Sequence, residues 1–277
     1  MSSKLVRIGF EVGTGKPVDV PISHTIATGQ TQMAGKTTAF EGLIARAGLP
    51  AIAFRTKRGE GAFDGSRVIA PYFRERCDWQ FVESIVGAVL RQGMRFERTW
   101  IIKASRNCDS LAEVRRRARN LMNASKRGFD RDLYMLIGEY LDLVLPMLER
   151  IPRAPRPDVS APGAPDLAVM DLTAFPLEVQ MLVLHSTMNW VYEHARSMLT
   201  VVPESWEFVP QKRDSPAKIA AIALARKGAA LGNFLLSTAR TWRGSRRRSC
   251  GSAASTSWAC SASATRSRGP STTSPRG

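Results

Sequence analysis

One segment restricts what this chain can fold into more than any other: a short strand pattern that leads through a glycine-bounded loop into a helix. The strand pattern covers 24–28, and apolar residues with helical spacing cover 39–47. Because backbone N–H groups and the helix dipole point at the ligand, a loop that opens a helix directly after a strand binds anions. We therefore predict that ten residues bind the phosphates of a nucleotide: Gly29, Gln30, Thr31, Gln32, Met33, Ala34, Gly35, Lys36, Thr37 and Thr38.

Two side chains of this loop carry specific expected roles, with ATP and Mg²⁺ as the expected cofactors. We expect Lys36 to reach the β- and γ-phosphates and Thr37 to place its hydroxyl on Mg²⁺. The strict loop pattern has a glycine five residues before Gly35, where this chain has Gln30 and carries its glycine one position earlier, at Gly29. The loop is therefore either one residue longer or has Gln in place of Gly. The simpler alternative is a glycine-rich turn with a surface lysine.

The remaining pattern predicts an α/β protein. Short apolar strand patterns alternate with longer helical ones, which is typical of a parallel sheet covered by helices. Further strands are expected at 51–54, 167–170, 199–202 and 231–236, and helices at 79–92, 110–125, 131–150, 176–198 and after Ser215-Pro216. Alternating segments 4–10 and 18–22 flank turn residues and predict a hairpin. The expected fold class is α/β, a parallel-sheet P-loop core of RecA-like type with an N-terminal β-hairpin and a helical insertion.

These patterns divide the chain into segments. We expect the hairpin at 1–22, the P-loop core in two parts at 23–72 and 165–240, and the helical insertion at 73–151. A linker is expected at 152–164, because five prolines stand between 152 and 165. Residues 241–277 are expected to form a disordered tail, because they consist mostly of Ser, Arg, Thr, Ala and Gly with almost no aliphatic residues.

The composition of the tail also suggests a change of reading frame. Written in GC-rich codons and shifted by one base, the stretch from Ser237 to Gly244 reads Val-Asp-Ser-Gln-Asp-Leu-Ala-Gly, which resembles folded protein better than the printed text does. We therefore interpret the tail as the product of a frame change near Leu236 that interrupts the last strand. A disordered basic tail that contacts nucleic acid is the alternative. The nucleotide sequence across Leu236 distinguishes the two.

The charge of the chain favours a polyanionic partner. The net charge is +16, and the tail supplies seven arginines and no acidic residue, which leaves 33 basic against 24 acidic residues, or +9, in the first 240. ATP or nucleic acid fits this excess. The arginine run 115–119 lies on a predicted helix, where a solvated face is the main interpretation and polyanion contact the alternative.

Several classes of protein are disfavoured by the sequence. No stretch reaches the roughly 18 apolar residues of a membrane helix, and no secretory signal is visible. The four cysteines have neither the density of a disulfide scaffold nor the spacing of a zinc site. We therefore expect a cytoplasmic protein without a membrane segment.

ATP hydrolysis also requires carboxylates at strand ends. The strand pattern 199–202 is followed by Pro203 and Glu204, and we assign Glu204 as the base that activates water. Asp171 ends the strand pattern 167–170 and is a candidate Mg²⁺ ligand, with a cap at a helix entry as the alternative. Arg226 is a candidate arginine finger that acts across a subunit boundary. Its alternative is a solvated residue that is favourable to a helix C-terminus.

Three stretches together resemble the HerA/FtsK branch of additional-strand ATPases, which includes the conjugation ATPases. Residues 24–38 resemble its phosphate loop, 201–210 its Walker B strand, and 226–232 the segment before its sensor strand. The resemblance covers 1–60 and 165–236. It implies that Lys36 and Thr37 bind ATP·Mg²⁺, that Glu204 drives hydrolysis, and that the protein forms hexameric rings acting on DNA.

The chain departs from that branch at three points. The phosphate loop is irregular, Pro203 stands where an Asp is usual, and the sensor strand lacks its Ser/Thr-Gln pair in the printed frame. A glutamine reappears in the shifted frame, which supports the frame change. The departures predict a product that binds ATP and hydrolyses it poorly.

Two other functions remain open from the sequence. The same loop serves phosphoryl transfer, so a small-molecule or nucleotide kinase is the first alternative. The second is a non-enzymatic, basic nucleic-acid-binding protein in which Gly35-Lys36-Thr37 has no role. DNA-stimulated phosphate release separates the motor from the kinase. A variant lacking the Lys36 charge separates both from the binding protein.

Overall fold

The computed structural model describes residues 5–29, 35–58, 63–90, 98–152, 154–159, 166–210 and 215–240. Residues 30–34 of the phosphate loop and the whole segment 241–277 lie outside these ranges. The strands are β1 (Leu5–Phe10), β2 (Pro17–Pro21), β3 (Thr25–Gly29), β4 (Ala51–Arg55), β5 (Arg67–Ile69), β6 (Leu167–Asp171), β7 (Leu199–Val202) and β8 (Phe234–Arg240). The helices are α1 (Lys36–Ala47), α2 (Trp79–Leu90), α3 (Arg98–Ser105), α4 (Leu111–Ala124), α5 (Gly128–Leu148), α6 (Leu177–His194), α7 (Ser205–Phe208) and α8 (Pro216–Lys227).

Within the described residues, six strands form one parallel sheet in the order β3-β8-β7-β4-β6-β5. The two central strands β7 and β4 are almost wholly buried, as expected for parallel strands covered on both faces. The predicted α/β class is therefore confirmed. Because all six strands run the same way, their carboxyl ends meet at one edge of the sheet.

Helices cover both faces of this sheet. Alternate residues of β4 point to opposite sides: Ile52 and Phe54 belong to a large cluster with α2 to α6 and α8, whereas Ala53 belongs to a smaller cluster with α1. The antiparallel pair β1–β2 contributes Val6 to the smaller cluster. The helix that follows the phosphate loop is thus held between the sheet and the N-terminal hairpin.

The last strand is longer than the sequence pattern indicates. We expected the strand to be interrupted near Leu236, but β8 continues in the printed frame to Arg240 and pairs with β3 from Leu236 through Arg240. Ser237 and Thr238 are polar, which weakens the apolar pattern, yet both are buried because they lie between β3 and β7. Any change of frame that leaves β8 intact therefore falls after Arg240.

Three short elements have no counterpart in the sequence pattern: β5, α3 and α7. Strand β5 has only three residues, too few to show a period. Its Arg67 pairs with Asp158 at 2.9 Å and with Asp166 at 2.8 Å, which ties the sheet edge to the proline-rich segment. No helix in the described part of the chain is both long enough and apolar enough to cross a bilayer.

Candidate functional site

The carboxyl edge of the sheet gathers the ends of β3, β8, β7 and β4 in adjacent positions. Gly29 ends β3, and Pro203 and Glu204 directly follow β7. Neighbouring strands lie about 4.8 Å apart, so two steps separate the Glu204 strand from the loop strand by roughly 10 Å. The strand order therefore brings two of the sequence-predicted features, the phosphate loop and the candidate base, to one edge.

Helix α1 begins where the sequence predicts, at the end of the loop. Gly35 precedes it in the left-handed region, with φ 58°, a conformation that favours glycine. No side chain caps this N-terminus, and no acidic residue stands in the first turn. Lys36 and Thr37 open the helix, and Thr38 follows with its side chain exposed. The first turn of α1 thus presents a positive dipole end, a lysine and hydroxyl groups, which suits an anion.

The backbone of Glu204 is fixed by the neighbouring strand. Its φ of 51° places a non-glycine residue in the left-handed region, which costs on the order of 1 kcal/mol or more. Two hydrogen bonds to Thr238 of β8 hold this turn: Glu204 N–H donates to Thr238 Oγ1 at 2.7 Å, and Ser205 Oγ donates to the Thr238 carbonyl at 2.8 Å. Strand β8 therefore sets the direction in which the Glu204 side chain leaves the sheet.

The carboxylate of Glu204 contacts two further side chains. Trp206 Nε1–H donates to Oε2, and Lys57 Nζ lies 3.5 Å from the same oxygen. Lys57 Nζ also lies 5.5 Å from the centre of the Trp206 ring, within cation–π range. The Glu204 side chain is only 12% exposed, so these contacts are partly shielded from solvent. We call Lys57, Glu204 and Trp206 the edge triad.

Asp171 is not brought to the loop. It ends β6, four strand steps from β3, or roughly 19 Å at 4.8 Å per step. Its Oδ1 accepts hydrogen bonds from Thr173 N at 2.9 Å and from Thr173 Oγ1 at 2.7 Å, and its Oδ2 lies 3.8 Å from Arg55. The carboxylate caps the turn before α6, so the geometry favours a capping role over the expected Mg²⁺ ligand.

Arg226 lies at the opposite edge of the sheet. It stands in the last turn of α8, exposed, where the chain turns into the amino end of β8. Since the phosphate loop is at the carboxyl edge, Arg226 does not reach the loop of its own chain. The structure leaves both sequence interpretations in place, a favourable charge at a helix C-terminus or a contact with a second copy.

Sequence reasoning missed Lys57, Trp206 as a polar partner, and Thr238. Lys57 follows β4 by two residues, and a lysine at a strand end in a predicted parallel sheet is a weak signal that was available. Thr238 lies beyond the point at which the strand pattern was expected to stop. No local pattern links any of them to Glu204.

A second cavity lies away from the sheet edge, between α2, α6 and α8, with a volume of about 510 Å³. Its lining includes His185, whose Nδ1–H donates to the Pro216 carbonyl at 2.9 Å and whose Nε2 accepts from Asn189 Nδ2 at 2.9 Å. Burial lowers the pKa of His185, which keeps the ring neutral. The expected structural role of this histidine agrees with these contacts.

Metal-binding side chains are sparse in the described ranges. No group of three or more His, Cys, Asp or Glu residues there could hold a metal ion on its own. Mg²⁺ bound beside a triphosphate needs only one or two protein oxygens, because phosphate and water supply the rest. The Thr37 hydroxyl at the start of α1 fits such a site.

Comparison with known proteins identifies relatives by fold alone. No protein-family model matches the chain, and no curated protein sequence matches it. Among solved structures, VirB4 of Thermoanaerobacter pseudethanolicus is similar with a TM-score of 0.54 at 14% identity, covering 87% of this chain and 78% of that one. The bacterial conjugative coupling protein TrwBdeltaN70 is similar with a TM-score of 0.52 at 13% identity, covering 87% of this chain and 72% of that one. The chain therefore shares its fold with these two proteins over most of its length.

Proposed function

We propose that this protein binds ATP at residues 29–38 and hydrolyses it to move or process DNA, as an ATPase of the HerA/FtsK branch. The observation that carries the proposal is the placement of Glu204 and the N-terminus of α1 at the same edge of one parallel sheet. A nucleotide bound at α1 would have its terminal phosphate near a partly buried carboxylate. The shared fold with VirB4 and a conjugative coupling protein supports this class.

The proposed roles follow from position. Backbone amides of the loop and the Lys36 ammonium hold the triphosphate, and the Thr37 hydroxyl holds Mg²⁺, which when bound neutralises phosphate charge. Glu204 orients a water molecule and accepts its proton. Arg226 acts, in this proposal, on the nucleotide of a neighbouring copy in a hexameric ring. We leave Asp171 out of the Mg²⁺ site because of its distance from β3 and its contacts with Thr173.

DNA is the proposed polymer because of the charge on the outer helices. Arg115 and Arg119 of α4 both pair with the single carboxylate of Asp142, so the two guanidinium groups exceed the acidic charge beside them. Arg116 is 72% exposed and pairs with Glu113 at 3.4 Å, a surface pair that contributes little. The excess positive charge on this face supports contact with a phosphate backbone.

Nucleotide binding and DNA-stimulated phosphate release by the purified chain test the proposal. Lys36→Ala should weaken ATP binding at least tenfold and abolish the release, because the ammonium no longer closes over the terminal phosphates. Lys16→Ala, in the exposed hairpin turn, is the matched control and should change neither. Thermal melting with millimolar ATP provides an independent measure, since ligands that bind only the folded state raise Tm.

Other outcomes of the same experiment identify the alternatives. Phosphate transfer to a small acceptor, unaffected by DNA, would indicate a kinase. DNA binding that is unchanged in Lys36→Ala, with no protection by ATP, would indicate a basic nucleic-acid-binding protein and would end the ATPase proposal.

A further inference from the structure

We propose that Lys57 is a positioning residue for ATP hydrolysis, which holds the Glu204 carboxylate in the orientation that activates water. This inference rests on the proposed function, since it assigns Glu204 as the base. Nothing in the sequence pattern around Lys57 indicated such a role. The contacts of the edge triad carry the inference.

The three members of the edge triad restrain one another. Lys57 Nζ and Trp206 Nε1 both contact Oε2 of Glu204, and Lys57 also lies over the Trp206 ring. A glutamate side chain has three rotatable bonds, so a free carboxylate would sample many orientations. Two contacts at one oxygen, combined with a fixed backbone, restrict those orientations sharply.

Burial distinguishes this pair from the surface ion pairs of the molecule. The Lys57 and Glu204 side chains are 35% and 12% exposed, whereas Arg116 and Glu113 of α4 are 72% and 38% exposed. Screening by water is weaker at partly buried pairs, so the attraction between Lys57 and Glu204 is stronger than that of an exposed pair. The ion pair also favours the ionised carboxylate, which is the form that accepts a proton.

The segment that carries Lys57 is attached to the phosphate-binding helix. Phe63 is buried in the cluster that includes Phe40 and Ile44 of α1. The Phe63 N–H donates to Glu41 Oε1 of α1 at 2.7 Å. Lys57 is therefore held by β4 on one side and, through Phe63, by α1 on the other, which sets its place relative to the loop.

Steady-state ATP hydrolysis by the full chain, with DNA, tests the inference through three variants. Lys57→Met keeps the length of the side chain and removes the charge, and we expect kcat to fall about tenfold or more with KM within twofold, because base orientation affects the chemical step. Lys57→Arg restores the cation and should recover kcat to within about threefold. Lys103→Met, an exposed lysine of α3, is the matched control and should leave both constants unchanged.

A double-mutant cycle identifies the path of the effect. Glu204→Gln alone should lower kcat by about a hundredfold or more. If Lys57 acts through Glu204, adding Lys57→Met to Glu204→Gln lowers kcat no further. Equal effects of Lys57→Met in both backgrounds would overturn the inference, as would an unchanged kcat in Lys57→Met.

Failure of this inference is distinguishable from failure of the proposed function. Active unsubstituted protein with an insensitive Lys57 refutes only the positioning role. Absence of ATP binding in the unsubstituted chain refutes both. A fall in Tm of Lys57→Met without recovery of kcat in Lys57→Arg would show a structural role and would also overturn the inference.

Discussion

At the scale of single residues, the site depends on hydrogen bonds that hold an unfavourable backbone conformation. Glu204 has a positive φ although it is not glycine, and Thr238 satisfies its N–H from the neighbouring strand. A buried N–H that loses its acceptor costs about 1–3 kcal/mol. Thr238 is therefore expected to matter for both stability and activity.

Thr238→Val tests this arrangement because it preserves shape and removes the acceptor. We expect the free energy of unfolding to fall by about 1–2 kcal/mol and kcat for ATP to fall, since Glu204 is no longer fixed. Urea denaturation and phosphate release measure the two effects. Thr200→Val is the matched control: Thr200 is buried in β7, and its hydroxyl has no hydrogen-bond partner within the described residues. That variant should be neutral or slightly stabilising, and an equal loss in both variants would contradict the role of the Thr238 hydroxyl.

At the scale of elements, helix starts agree with the sequence where capping residues mark them. Ser215 and Pro216 were expected to open a helix, and α8 begins at Pro216 with Ser215 Oγ accepting from Lys218 N at 3.0 Å. Helix α5 begins at Gly128, three residues before the expected start, and its N-terminal residue Arg127 makes no side-chain cap. Cap chemistry is local and therefore readable, whereas an uncapped start depends on packing.

Removing the α8 cap should destabilise the protein measurably. Ser215 is buried, accepts from Lys218 N and donates to the Phe208 carbonyl, so Ser215→Ala loses two hydrogen bonds. We expect a loss of about 1–2 kcal/mol in the free energy of unfolding. Ser110→Ala, which removes the cap of α4 at a more exposed position, serves as the comparison and should cost less. Denaturant titration of both variants would contradict this ranking if Ser110→Ala were the more destabilising.

At the scale of the whole molecule, two surfaces with different chemistry lie apart. The carboxyl edge of the sheet carries the phosphate loop and the edge triad, whereas the arginines of α4 lie on a helix packed mainly against α5 and α3. A motor would use the first to hydrolyse ATP and the second to contact DNA. Salt dependence can examine the second surface without reference to hydrolysis.

DNA affinity should fall steeply with salt if α4 contacts phosphates. Arg116→Gln combined with Arg119→Gln should reduce the slope of log affinity against log salt by about two, because each lost phosphate contact contributes about one. Arg7→Gln with Arg46→Gln, on the hairpin and α1, is the matched pair of surface charges and should leave the slope nearly unchanged. Equal slopes for the unsubstituted chain and the α4 variant, measured by fluorescence anisotropy, would remove that face from the DNA interface.

The sequence by itself determined the α/β class, the start of α1 and the presence of a carboxylate after β7. These features are encoded locally, in the alternation of apolar residues, in glycine and cap positions, and in the residues that follow a strand. Only the tertiary structure decided which strand ends are neighbours. The order β3-β8-β7-β4-β6-β5 places Lys57 and Thr238 beside Glu204 and leaves Asp171 far from the loop, although Asp171 and Glu204 look equivalent in sequence. Strand order depends on how the helices pack on the two faces of the sheet, and that packing is a property of the whole chain.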